Sequence, residues 1–149
     1  MKALLKAMEL RIKDQLPYLR WVGVLDSHLL PPEGPGFPIV GLKDDGIPRR
    51  SQPGKKDIEE LNVIVYPYQN LIAKFPGASV MGNDRLQNKQ GRGLLDIGKD
   101  LIAALDDNFL GLNFHFAHSE RIDKSETLTD DGARMIQFQA YHYLYRRYQ

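Results

Sequence analysis

The segment closest to a known chemical motif is Gly93–Asp100, which reads GLLDIGKD. Its glycines and lysine follow the phosphate-loop pattern G-x-x-x-x-G-K-[ST], in which the final hydroxyl holds Mg²⁺. Here that position is Asp100, whose carboxylate would repel phosphate, and no strand-like segment leads into the loop. The segment instead predicts the first turn of a helix, with Leu94, Leu95 and Ile97 facing the core.

The histidines do not have the spacing of a metal site. His115 and His118 are three residues apart, which on a helix would suit a shared metal ion. The phenylalanines on either side of His115 favour a strand, where the two imidazoles point to opposite faces. His28 and His142 have no adjacent carboxylate or second histidine at ligand spacing. A metal hydrolase that uses His115 or His118 is therefore the weakest alternative.

The remaining reactive side chains form no catalytic constellation. Asp44-Asp45 and Asp106-Asp107 are paired in sequence, but adjacent side chains diverge, so neither pair implies acid and base catalysis. No serine lies in a G-x-S-x-G elbow. The chain has no cysteine, which excludes thiol catalysis, disulfides and cysteine-bound zinc. We expect a non-enzymatic protein with no catalytic residue, metal or cofactor.

Charge is balanced over the whole chain but uneven along it. Twenty basic and nineteen acidic residues give a net charge of +1, so no global field draws the protein to nucleic acid or lipid. A basic cluster within the long loop 44–57 consists of Arg49, Arg50, Lys55 and Lys56. It could contact phosphates or an acidic protein surface, or it could simply be solvated. Basic segments at 46–56 and 85–92 and an acidic segment at 119–131 favour head-to-tail association of copies.

The first half of the chain predicts one helix and three strands. Apolar residues recur at spacings of three and four at Leu5, Met8, Ile12, Leu16 and Leu19. This pattern predicts an amphipathic helix that ends near Pro17. Strand patterns follow at Trp21–Leu25, Phe37–Leu42 and Leu61–Tyr66, and Pro67 is expected to end the third strand.

The second half predicts a helix and a long hairpin. Leu94 to Leu105 outlines the helix, with Gly98 as its weak point. Strands from Leu112 to His118 and from Met135 to Arg146 are joined by the polar stretch 119–132. The length of 149 residues fits one domain, 1–149. The expected fold class is α+β, with a mixed or antiparallel sheet of about four to five strands, two flanking helices and long protruding loops.

The two faces of the last strand differ in composition. One parity carries the apolar Ile136, Phe138, Ala140 and Leu144, which we assign to the core. The other carries Tyr141, Tyr143 and Tyr145 with two glutamines. Tyrosine is enriched where proteins meet, so we interpret these three tyrosines as a packed interaction face. The alternative is that a helix of the same chain covers them.

The order of these elements resembles the tail terminator proteins of long-tailed bacteriophages, also described as minor tail or tail completion proteins. The likeness covers nearly the whole chain and contains no invariant chemical signature. Its residues are Leu16-Pro17 leading into Trp21-Val22-Gly23-Val24, then Phe37-Pro38-Ile39-Val40, Val63-Ile64-Val65-Tyr66, the helix end from Leu101 to Asp107, and Met135 to Tyr145.

The resemblance implies a structural role in virion assembly. A tail terminator forms a ring, typically a hexamer, that caps the tail tube and joins it to the head connector or a head completion protein. The expected partners are then copies of this chain, the tail tube protein and the connector, with DNA passing through the lumen non-specifically and no membrane involved. The location would be the tail or neck of the virion, after synthesis in the host cytoplasm.

Within this role, the basic loop and the 119–132 connection are expected to be arms that become ordered on assembly. Two alternatives stay open. One is another phage neck protein, such as a head completion or tail-to-head joining protein. The other is a nucleic-acid-binding accessory protein that uses the basic loop.

Overall fold

The computed structural model of the chain describes residues 1–26, 31–47, 58–70, 77–82, 92–129 and 135–148. It has an open, mixed seven-stranded sheet with three helices, which confirms the α+β fold class. The strand count is higher than predicted, and a one-turn helix adds to the two that were expected. The elements are α1 Lys2–Gln15, β1 Trp21–Val24, β2 Ile39–Asp44, β3 Ile58–Asn70, α2 Ala78–Met81, α3 Leu94–Leu105, β4 Phe116–Ile122, β5 Glu126–Thr129, β6 Met135–Phe138 and β7 Tyr141–Tyr148.

The long strand β3 is the centre of the sheet. Strand β2 pairs with it antiparallel on one side, and β1 pairs parallel with the outer side of β2. On the other side β3 pairs antiparallel first with β7 and then with β6. Strand β4 lies outside β7, and β5 lies outside β6.

Pro67 explains one of the two breaks that give the sheet more strands than predicted. It does not end β3, contrary to the sequence prediction, because β3 continues to Asn70. Val65 lies opposite Tyr141 and Tyr68 lies opposite Phe138 in one unbroken register, so β6 and β7 follow a single line. The interruption between them faces Pro67, which accepts a hydrogen bond from the Gln139 N–H at 3.3 Å but has no N–H to give back.

The partner line on the other side of β6 and β7 is interrupted as well. Its register shifts between Ser119 and Arg121 inside β4, and residues 123–125 separate β4 from β5. Seven strands therefore lie along five lines. The predicted long hairpin is present, but most of the stretch expected to be a loop arm, 119–132, is strand up to Thr129. Residues 130–134 and 48–57 are outside the described part of the chain.

Helices α1 and α3 cover one face of the sheet. The predicted amphipathic helix is present, and its fully buried residues are Leu4, Met8 and Ile12. Leu4 takes the inward position that the sequence pattern assigned to Leu5, which is only partly buried, and Leu19 lies beyond the end of the helix. In α3 the buried stripe is Leu94, Ile97, Leu101 and Leu105. These side chains join Leu61, Val63 and Val65 of β3 in the main core. A second cluster on the opposite sheet face contains Ile39, Ile64, Tyr66, Tyr68, Ile136 and Phe138.

Two polar contacts join α1 and the segment after it to α3. The Arg11 Nε donates to the carbonyl of Ala104 in the last turn of α3 at 2.9 Å. The Tyr18 hydroxyl donates to an Asp100 carboxylate oxygen at 2.6 Å. The first contact satisfies one of the carbonyls that have no partner at a helix end, and places a cation where the helix dipole favours it.

Candidate functional site

The predicted basic contact residues Arg49, Arg50, Lys55 and Lys56 lie outside the described residues. Their role as a contact loop therefore stays a prediction. Of the second basic segment, 85–92, only Arg92 is described. Its guanidinium contacts Asp100 at 2.9 Å and lies over the Tyr18 ring at 4.5 Å, so this cation holds the start of α3.

The prediction for the tyrosine row needs a correction. Tyr141, Tyr143 and Tyr145 have relative exposures of 3%, 1% and 0% and belong to the core between the sheet and the helices. The opposite parity of the same line is buried too, as we expected for Ile136, Phe138, Ala140 and Leu144. The three tyrosines therefore meet the chain's own core. They are not an exposed contact surface.

The hydroxyls of these tyrosines differ in their partners. Tyr143 donates to Asp106 Oδ1 at 2.8 Å, and the other Asp106 oxygen lies 3.3 Å from His118 Nε2. Burial, reinforced by Asp106, raises the pKa of the Tyr143 phenol far above its usual value. The Tyr145 hydroxyl is buried and has no hydrogen-bond partner among the described residues, and burial raises its pKa in the same direction. Both phenols are neutral and serve the core.

The histidines take separate positions. His118 lies on β4 beside Asp106, and the His115 ring stacks on Tyr148 with a 4.2 Å centroid distance. His142 Nε2 lies 2.9 Å from Asp123 Oδ2, and this contact holds the pKa of the Asp123 carboxyl below its usual value, helped by Arg121. Within the described ranges no three His, Asp or Glu side chains converge as metal ligands. The His142 contact escaped sequence reasoning because the partners are 19 residues apart and meet only across paired strands.

The segment Gly93–Asp100 is a helix start, as predicted. Gly93 is the N-cap of α3, and its N–H donates to Asp96 Oδ2 at 3.2 Å. Leu94 and Ile97 are buried, but Leu95 is 49% exposed and does not face the core. Asp100 accepts from Tyr18 and Arg92, so its carboxylate has a structural use.

Several arginines of the described residues are paired with carboxylates. Arg146 contacts Glu60 at 3.1 Å and Arg147 contacts Glu59 at 2.7 Å, across β7 and β3. Arg121 contacts Asp123 at 2.9 Å. These pairs neutralise cations that would otherwise be candidates for phosphate contacts.

The two edges of the sheet differ. The β4–β5 edge has a register shift, an interruption and alternating charges, which are features that discourage strand addition. The β1 edge is a straight run, Trp21-Val22-Gly23-Val24, with no charged residue. Beside it lies a groove of about 460 Å³ between α1 and β1, lined by Glu9, Lys13, Leu16, Pro17, Leu19, Arg20, Trp21 and Val22. Sequence reasoning missed this groove, because the spacing of α1 and the strand does not show how they meet.

Comparisons with known proteins leave the family open. No protein-family model matches the chain, and no curated protein matches it. Among the described residues, no helix has the length and apolar content needed to cross a membrane.

Proposed function

We propose that this chain is a structural subunit of a bacteriophage neck, and specifically a tail terminator that assembles into a ring on the end of the tail tube. In this role it works by binding copies of itself, the tail tube protein and the head connector. It performs no bond-making chemistry. The ring caps the tube when the tube reaches full length and then presents a surface to the head.

The observation that carries the proposal is the order of the elements together with the open sheet. Along the chain the structure has a helix, a parallel strand pair, a central antiparallel strand, a helix and a long hairpin. The resemblance to the tail terminator family rests on the order of these elements in the sequence. A ring subunit needs a rigid body with surfaces free for neighbours. Two buried clusters on the two sheet faces supply the rigid body. Among the described residues, β1 and the β4–β5 line each pair on one side only.

The alternatives differ in what supports them. Another neck protein, for head completion or tail-to-head joining, would use the same architecture, so it remains the runner-up. A nucleic-acid-binding accessory protein draws its support from the basic loop alone. The arginine–carboxylate pairs on β3, β4 and β7 do not add to it.

The mass of the purified protein and electron microscopy of the same sample test the proposal. We expect a closed ring, with six subunits as the family implies, or a monomer that becomes a ring when tail tubes are added. A chain that stays monomeric and never binds tail tubes would contradict it. Binding to the head connector but not to tubes would favour the neck alternative.

A further inference from the structure

We infer that the β1 edge and the groove beside α1 form a docking site for an extended acidic segment of another protein, which adds to the sheet as a further strand. The site is built from the backbone of Val22 and Val24, the groove floor at Leu16 and Trp21, and the lysines of α1. It requires only one folded copy of the chain, so it holds whether or not the chain forms a ring.

The backbone of β1 is open on its outer side. The Leu25 N–H donates to the Leu42 carbonyl on β2 at 2.8 Å. Because backbone groups alternate in direction along a strand, the N–H and C=O of Trp21 and Gly23 also face β2. Those of Val22 and Val24 therefore point away from the sheet, where no described strand pairs with them. Val24 is 46% exposed although it is apolar.

The groove gives an added strand a place for its side chains. Helix α1 and β1 form its walls, and the apolar lining residues that keep exposed surface are Pro17, Leu19 and Trp21. Main-chain hydrogen bonds to an edge give affinity in strand addition, and pockets for alternate side chains give specificity. A volume of about 460 Å³ can hold more than one small apolar side chain.

Charge indicates an acidic partner. Lys2, Lys6, Glu9 and Lys13 follow one stripe of α1 at spacings of four, three and four, and the last two line the groove. Three cations and one anion give this stripe a net charge of +2. Lys13 contacts Glu9 at 3.3 Å, and Lys2 and Lys6 are exposed on the same stripe. Such a stripe attracts carboxylates at distances up to about the Debye length of 10 Å.

The two edges of the sheet differ in how well they are protected, and this difference favours β1 as the edge that binds another strand. Natural sheets protect edges with bulges and charges, and the β4–β5 edge has both. The β1 edge has neither, although at four residues it is short, which itself limits pairing with other chains. A second copy would have to offer the protected β4–β5 edge or pair β1 with itself, which would place two lysine stripes together.

The test uses the peptide acetyl-EEVTVTVEE-amide and its twin acetyl-KKVTVTVKK-amide. Trp21 is the only tryptophan of the chain and lines the groove, so its fluorescence reports binding directly. We expect a saturable change with the acidic peptide that weakens as salt rises, and at least tenfold weaker binding of the lysine twin. Equal binding of the two peptides would overturn the inference.

Val24→Pro is the decisive variant. Proline removes the outward N–H, which an edge strand tolerates, and leaves the ladder to β2 intact. We expect Val24→Pro to lose binding at least tenfold and Val24→Thr, which keeps the N–H, to bind like the parent chain. Equal binding by both variants would contradict strand addition. Lys6→Glu with Lys13→Glu should reverse the preference between the two peptides, and an unchanged preference would contradict the charge argument.

Two further measurements test whether a loss of binding by Val24→Pro comes from strand addition. Thermal unfolding shows whether Val24→Pro is folded. If it is not, the acidic peptide methylated at alternate backbone nitrogens replaces it on the parent chain, and unchanged binding of that peptide would overturn strand addition. If the chain associates with itself, and if Val24→Thr keeps this association while Val24→Pro loses it, the β1 edge binds a second copy. That result would overturn the choice of another protein as the partner.

Discussion

Tyr143 and Tyr145 present the same side chain to the same core, but their hydroxyls have different surroundings. The Tyr143 hydroxyl donates to Asp106, whereas the Tyr145 hydroxyl is buried and has no partner in the part of the chain that the structure describes. Removing a hydrogen bond to a charged group costs about 1.5–3 kcal/mol, while removing a buried polar group that has no partner relieves its desolvation.

We expect Tyr143→Phe to lower the free energy of unfolding by about 1.5–3 kcal/mol. Tyr145→Phe should leave it unchanged or raise it by up to about 1 kcal/mol. Urea unfolding of both variants checks this, and each serves as the control of the other. If Tyr145→Phe lowers the free energy of unfolding more than Tyr143→Phe does, the hydrogen-bond assignment of the two hydroxyls is wrong. Tyr143→Ala is expected to unfold the monomer or leave it marginal, because a buried ring is lost.

At Gly98 the helix α3 lies against the Tyr141 side chain of β7. A Cβ atom added there would overlap the Tyr141 hydroxyl. Alanine is normally favoured over glycine in a helix by about 1 kcal/mol. We nevertheless expect Gly98→Ala to destabilise the chain by about 1–3 kcal/mol, because the ring must shift.

A double variant separates the two effects. Combining Gly98→Ala with Tyr141→Phe removes the overlapping oxygen and should recover part of the loss measured by urea unfolding. If Gly98→Ala alone is more stable than the parent chain, α3 does not lie this close to the sheet.

Asp123 carries a predicted pH dependence of stability. Its contact with His142, with help from Arg121, holds its pKa below the ordinary value of 3.8. A carboxyl with a lowered pKa stabilises the folded state above its unfolded pKa, and the contribution disappears as the pH falls through the folded pKa. The side chain is 41% exposed, so solvent screening keeps the effect under about 1 kcal/mol.

We therefore expect Asp123→Asn to be slightly less stable than the parent chain at pH 7, with the difference closing as the pH falls below about 3.8. Denaturant unfolding at a series of pH values measures this. Glu120→Gln, at an exposed carboxylate on β4, controls for the loss of one negative charge. A difference that persists unchanged at pH 2 would refute the role of the ionised carboxyl.

At the scale of elements, Arg11 joins α1 to the end of α3 through the Ala104 carbonyl. We expect Arg11→Met, which keeps much of the apolar stem, to cost about 1–1.5 kcal/mol of unfolding free energy. Lys13→Met is the matched control on the same helix, because its exposed contact with Glu9 is worth under about 0.5 kcal/mol. Equal effects of the two changes in thermal unfolding would mean that the helix-end contact adds nothing.

The helices and the long hairpin could be predicted because their patterns are local. The apolar spacing of α1 and α3 and the alternation in β3 are readable in short windows. What failed depends on neighbours. Pro67 interrupts the neighbouring strand line between β6 and β7, while its own strand β3 continues through it. The three tyrosines of β7 have the composition of an exposed interaction face, but the helices pack over them and bury them. The groove at β1 arises from two elements whose contact no local pattern encodes.

At the scale of the whole molecule, the described residues form a body with clusters buried on both sheet faces and two sheet edges of different character. The polar networks hold elements together: Asp100 and Arg92 fix α3, and Asp106 joins α3 to β7 and β4. Such a body suits a subunit that acts through its surfaces, which is the core of the proposed assembly role.

The central claim is that the chain acts by assembling on the end of a tail tube. The most direct measurement is electron microscopy of purified tail tubes with and without the protein, with ring density at the tube ends as the readout. We predict one ring of copies at the tube end, and tubes that no longer elongate once the ring is present. Tubes that keep elongating with bare ends, beside a protein that remains monomeric, would contradict the account.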